Sequence, residues 1–156
     1  MRLQPGDQAP GFELPDSTDT PRTLADFGGQ SVILFFYPKA FTPGCVGESC
    51  DFRDRSEPLA AAGYAVVGVS PDPVDVLARF RTEYQLDYPL LSDVDHAVAG
   101  AFGAWGTKKN YGKEYEGLIR STVVVGPDGL VEAAWYNVRA KGHANRVLEA
   151  LASADQ

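Results

Sequence analysis

The sequence predicts an α/β fold, a central mixed sheet flanked by helices with a β-hairpin extension at its N-terminus. From residue 31 onward, short β-rich runs alternate with helical patterns, the alternation that builds layered α/β folds. Two of those runs, Ser31-Val-Ile-Leu-Phe-Phe-Tyr37 and Tyr64-Ala-Val-Val-Gly-Val-Ser70, are almost continuously apolar, as strands buried on both faces are. A third observation is Gly126-Pro-Asp-Gly129, which separates Thr122–Val125 from Leu130–Trp135. Pro presets φ there and Gly accepts a positive φ, so this stretch predicts an antiparallel hairpin.

The elements follow in chain order. The first thirty residues are richer in Gly, Pro, Asp and Thr, with apolar punctuation at Phe12, Leu14, Leu24 and Phe27, and predict the added hairpin. The strand from Ser31 ends at Pro38, and a helix begins near Pro43. Val46 to Ala62 supplies a crossover, so Tyr64–Ser70 returns parallel to the first strand by a right-handed connection. After Pro71-Asp-Pro73, the residues Val76, Leu77, Phe80 and Tyr84 recur at helical spacing, and Pro89-Leu-Leu91 offers a short strand, which makes a second crossover. Ala144, Val147, Leu148 and Leu151 mark a closing amphipathic helix. The order βαβ, α, ββα is that of the thioredoxin fold. No repeat, low-complexity tract or linker divides the chain, so residues 1–156 read as a single domain. That length buries roughly 68–70% of the unfolded surface, enough for a core without staples.

The composition is that of a globular protein, 44% hydrophobic and 22% charged, with a net charge of −7 and pI near 4.7. Only Lys108, Lys109 and Lys113 gather as cations, which argues against a nucleic-acid partner. His96 and His143 stand apart, without zinc-type spacing. No run approaches membrane-spanning length. Met1 to Gln8 lacks the apolar core of a secretory signal, so the cytosol is the expected compartment, where a cysteine pair is more often catalytic than structural.

Cys45 and Cys50 are the only cysteines. The predicted helix puts Cys45 in its first turn, where free N–H groups and the helix dipole favour an anion and a thiol ionises more readily. A single cysteine is more often a small core residue than a nucleophile, so the surrounding pattern decides. Five residues on a helix rise ~7.5 Å and turn about 140°, which holds the two Cα atoms about 8.7 Å apart. A disulfide tolerates little beyond ~7 Å. The reduced protein is therefore expected to carry one continuous helix through both cysteines, and a bond between them, if one forms, would require that helix to unwind locally.

Pro38-x-x-x-Thr42-x-x-Cys45 resembles the active-site motif of the peroxiredoxins. Cys50, completing C-x-x-x-x-C, narrows the resemblance to the peroxiredoxin Q, or bacterioferritin comigratory protein, branch. Further matches run in order along nearly the whole chain, at Gly6–Phe12, Phe36–Ala40, Asp51–Asp54, Pro89–Asp93, Tyr111–Lys113 and Gly117–Thr122. The resemblance implies a thiol peroxidase that reduces hydrogen peroxide and organic hydroperoxides without metal, haem or other cofactor. It makes Cys45 the peroxidatic cysteine and Cys50 the resolving one. Their intramolecular disulfide would be recycled by a thioredoxin-like or glutaredoxin-like donor, and a monomer or weak dimer is expected. Thr42, Pro38 and Arg120 match positions that activate, shield and polarise, and Glu48 an acidic or amide position beside the pocket. Val46 departs from the branch, which often carries Thr there, and Phe41 is a bulkier variant of a loosely specified position.

Elementary chemistry accommodates these roles. A free thiol with a pKa near ~8.5 is little ionised at neutral pH, and Arg120, permanently charged with forked donors, would favour the thiolate and hold the peroxide oxygen that gains charge. Thr42 offers a hydroxyl that donates and accepts, and Pro38, with no N–H, walls the pocket. The bland alternatives are a surface ion pair for Arg120, a helix cap for Thr42 and a strand terminator for Pro38. Trp105, Tyr111, Tyr115 and Trp135 are assigned to packing, His143 to the surface and His96 to a helix start. Two other functions stay open, a disulfide oxidoreductase, which would prefer C-x-x-C, and a non-enzymatic redox sensor.

Overall fold

The computed structural model describes residues 2–110 and 112–154. A short hairpin of β1 (Leu14–Pro15) and β2 (Pro21–Arg22) leads into β3 (Ser31–Phe36), α1 (Pro43–Ala61), β4 (Tyr64–Ser70), α2 (Val74–Glu83) and β5 (Leu90–Ser92). Then come α3 (Ala97–Ala101), the pair β6 (Trp105–Asn110) and β7 (Lys113–Leu118), the pair β8 (Ser121–Val125) and β9 (Val131–Trp135), and α4 (His143–Ala154). The central sheet runs in the order β5-β4-β3-β8-β9. β3, β4 and β5 are parallel, and β8 and β9 are antiparallel to their neighbours. This is the mixed sheet the element order predicts, in the thioredoxin arrangement.

Strand β3 is buried on both faces, and its alternation divides the interior in two. Ile33 and Phe35, with Tyr37 just beyond, face a core built from Phe52 and Leu59 of α1, Leu77 and Phe80 of α2, and Ala144, Val147 and Leu151 of α4. Val32, Leu34 and Phe36 face the opposite way, onto Phe102, Leu118 and Leu91. At the centre, Gly68 of β4 is required by close approach: a Cβ there would stand 2.8 Å from Leu90 and 3.0 Å from Phe35. A turn through Gly63, at φ +92, takes the chain from α1 into β4, a conformation glycine adopts without penalty.

The strands β6 and β7 lack a counterpart in the sequence reading, and so does α3 beyond its start at His96. The pair β6–β7 carries Lys113 to Glu116 in the open, so it shows none of the apolar alternation by which strands are recognised. Among the described side chains of the pair, only Trp105 and Leu118, at its base, reach the second core. The five residues of α3 are too few to display a helical period. His96 does begin that helix, at φ +53, with its ring stacked 3.7 Å from Trp105. Of the other aromatic residues assigned to packing, Trp135 lies on the first core, Tyr115 is exposed, and Tyr111 falls outside the described residues.

The assignment of His143 to the surface is wrong. It is 1% exposed, with Nε2 2.7 Å from Thr122 Oγ1 and its ring edge-on to Phe52 and Trp135. The cause is helical spacing: positions 143, 147 and 151 share one face, and α4 lays that face on the sheet. Burial pushes the His143 imidazole down to about 4, so it is neutral at physiological pH.

Candidate active site

Residues Pro38 to Thr42 connect β3 to α1, and their path is held from the next crossover. The carboxylate of Asp72 accepts the Ala40 N–H at 2.7 Å and the Ser70 hydroxyl at 2.8 Å. Phe41 sits at φ +67 with its ring 5.1 Å from Phe80 and 6.2 Å from Tyr84. Left-handed backbone at a bulky residue is strained and survives only where packing over-determines it; α2 supplies that packing.

Thr42 is the N-cap of α1, and its carbonyl accepts the first helical bond from the Val46 N–H at 2.8 Å. Its side chain caps nothing. The hydroxyl donates instead to the Lys39 carbonyl at 2.8 Å, so the donor capacity expected of it is engaged and lone pairs are what it offers a ligand. Pro38 is half-buried at the exit of β3 and, lacking an N–H, donates nothing to the cluster.

Cys45 is the third residue of α1 and fully buried, within the first turn as the sequence predicts. Arg120, immediately before β8, reaches it across the sheet: Nη2 donates to Cys45 Sγ at 3.2 Å, while Nη1 donates to Glu48 Oε1. A guanidinium at that distance stabilises negative charge on the sulfur. Glu48 lies three residues after Cys45, on the same helical face. The guanidinium passes close over Gly44, where a Cβ would meet Nη2 at 3.5 Å, an ordinary contact distance. The surface ion-pair reading of Arg120 therefore does not hold; its carboxylate partner is fully buried and the thiol completes the fork.

Glu48 has one oxygen on Arg120 and the other without a partner. Burial pushes its carboxyl up to about 7 against the pull of Arg120. Since the folded value lies above the ordinary 4.5, the folded state holds a proton the unfolded state has lost. Stability on this account is fully present below about 4.5 and falls by a few kcal/mol as pH rises to about 7. Glu48→Gln keeps an acceptor for Arg120 and does not titrate. Urea unfolding at about pH 5 and about pH 8 should show the variant gaining on the wild type at the higher pH, with His143 cancelling in the difference. An equal offset at both pH values contradicts this.

Cys50 lies in the same unbroken helix, half-buried, and both thiols are free. Burial raises the Cys50 pKa more than Arg53 lowers it, so at neutral pH it is a thiol. The continuous helix through both cysteines is the expected one.

Residues 5–134 match the AhpC/TSA family. The chain belongs to that family. A relative from Mycobacterium tuberculosis is 52% identical over 142 residues, covering 91% of this chain and 90% of its own. Peroxiredoxin Bcp of Bacillus subtilis is 39% identical over 151 residues, covering 97% and 96%. The solved bacterioferritin comigratory protein of Xanthomonas campestris superposes with a TM-score of 0.87 at 36% identity, over 93% of this chain and 92% of that one. This peroxiredoxin is a thiol peroxidase of the Bcp/peroxiredoxin Q kind, with the fold of those relatives. Of the sequence-predicted residues, the fold gathers Cys45, Arg120 and Glu48 into one bonded cluster and sets Thr42 at the head of the same helix. Asp72 was missed, for its role depends on a contact 32 residues distant in sequence.

Proposed function

We propose that Cys45 is the peroxidatic nucleophile, that Cys50 resolves it, and that hydrogen peroxide and organic hydroperoxides are the substrates. The observation that carries this reading is the Arg120 guanidinium donating to a buried thiol in the first turn of α1. The Cys45 thiolate attacks the nearer peroxide oxygen; the S–O bond forms, the O–O bond breaks, and the leaving oxygen departs as water or alcohol once protonated. Sulfur loses the two electrons the peroxide gains. Arg120 meets charge as it builds on the oxygens, and the lone pairs of Thr42 accept the peroxide O–H. Pro38 limits water at the thiol. That the Xanthomonas campestris relative has alkyl peroxide reduction activity supports including organic substrates.

The Cys50 thiol then condenses with the Cys45 sulfenic acid, releasing water and forming the disulfide. Exchange with a thioredoxin-like or glutaredoxin-like dithiol returns both thiols. Such a cycle suits the cytosol, where thiol donors are abundant, and one chain contains both reacting sulfurs, so a monomer or weak dimer suffices. No described helix is long and apolar enough to cross a membrane.

A coupled assay with hydrogen peroxide and an alkyl hydroperoxide, each with thioredoxin and glutaredoxin systems, tests the proposal. Turnover is expected with at least one donor, and oxidation no faster than that of a free thiol would sink it. With Cys50→Ser, one oxidation per Cys45 should persist, a sulfenic acid should become trappable, and dithiol-supported turnover should fall. Normal turnover of that variant would mean that Cys45 is reduced directly.

Because the helix holds the cysteine Cα atoms about 8.7 Å apart, resolution requires the first turns of α1 to unwind. Amide exchange between Thr42 and Arg53 should be faster in the oxidised than in the reduced protein. Equal protection, with the disulfide verified by mass, would refute the unwinding.

A further inference from the structure

The segment that must unwind is tied to the rest of the fold at particular places. At its start, Phe41 is pinned on α2. Beyond its far end, Phe52 is fully buried and stacked 4.7 Å from Phe35, and Arg53 donates to the Tyr84 carbonyl at 2.7 Å. Between these, among the described residues, lies a single side-chain bond from outside the helix to its backbone: the Tyr88 hydroxyl donates to the Ser49 carbonyl at 2.7 Å, and this bond is buried. Ser49 immediately precedes Cys50.

We propose that Tyr88 is a positioning residue for the resolving step, its hydroxyl holding the Ser49 carbonyl in helical register and thereby setting how readily Cys50 reaches Cys45. This rests on the proposed roles of the two cysteines. Tyr88 stands just before β5, is 3% exposed, and packs edge-on against Phe35 at 5.7 Å, so the ring cannot follow the helix as it opens. When the Ser49 carbonyl moves away, the hydroxyl loses its acceptor in a buried setting. The bond therefore favours the helical, peroxide-reactive form over the unwound, resolving form. The phenol's pKa is raised well above its usual value by burial, which keeps it a donor throughout.

The chemistry gives this bias a kinetic readout. The sulfenic acid at Cys45 has two fates: condensation with the Cys50 thiol to disulfide and water, or attack on a second hydroperoxide to give sulfinic acid and alcohol or water. Only the first needs the unwound segment. A tie on the helix slows the first and leaves more time for the second.

Tyr88→Phe removes the hydroxyl and keeps the ring on Phe35. In rapid-mixing experiments with hydrogen peroxide, disulfide formation should accelerate about fivefold, the factor by which a typical intramolecular hydrogen bond biases an equilibrium. The peroxide concentration at which mass spectrometry detects sulfinic acid should rise by the same factor. Amide exchange in the reduced variant should increase within Thr42–Arg53 and not in β3. Disulfide formation at the wild-type rate or slower overturns the proposal, as does exchange raised equally in β3, which would mark general destabilisation. A wild-type protein that forms no Cys45–Cys50 disulfide would overturn the resolving role of Cys50 and this proposal with it, whereas equal rates in both proteins would overturn the proposal alone.

Discussion

Cys45→Ser is expected to abolish peroxide reduction while leaving the fold intact. The reaction needs an atom that is ionisable near neutral pH, highly nucleophilic and able to carry an added oxygen as a sulfenic acid; a serine hydroxyl is none of these. The fold should survive because the exchange is nearly isosteric at a buried position, and Arg120 Nη2, now 3.2 Å from sulfur, retains an acceptor in the serine oxygen. Rapid-mixing oxidation monitored alongside circular dichroism separates chemistry from folding. More than trace activity in a folded variant would remove Cys45 from the nucleophile's role.

Arg120→Ala should slow the first oxidation by a factor of about 10²–10³, the scale of losing a preorganised donor to developing charge. Three effects act together. The thiolate loses its nearest cation, the departing oxygen loses its donors, and Glu48 loses the partner that opposes its burial. The last is self-limiting: without Arg120, the carboxyl, already held at about 7, stays protonated at neutral pH, and no buried charge is stranded. The variant should therefore fold, and an unchanged oxidation rate would assign Arg120 to structure alone.

What could be read from the sequence follows the range of the interactions involved. β3, β4 and α1 were legible because burial on both faces, or a proline at a helix start, is written locally, and the β8–β9 hairpin because its turn residues have fixed conformational meanings. The place of Cys45 in the first turn of α1 was legible from that helix start, and the roles proposed for Cys45 and Cys50 come from the family resemblance. Arg120 was legible only through the family resemblance, since nothing local shows that a residue before β8 meets a thiol 75 positions earlier. The same distance effect hid Asp72 and Tyr88, which act through single hydrogen bonds to backbone atoms far away in sequence. His143 was a different kind of miss: the helical period that marked Ala144 and Val147 extends back one position, and a polar label on histidine concealed it. The donor engagement of the Thr42 hydroxyl by the Lys39 carbonyl depends on a side-chain rotamer and has no sequence signature.

The alternation along β3 has an optical consequence. The two tryptophans lie on opposite sides of the sheet, Trp135 on the core that includes Cys45 and Phe52, and Trp105 on the core that includes Phe36 and Phe102. Rearrangement of α1 disturbs the environment of the first chromophore and leaves the second, stacked on His96, screened by a layer of backbone. If oxidation unwinds α1 as proposed, the accompanying change in total tryptophan emission should come chiefly from Trp135.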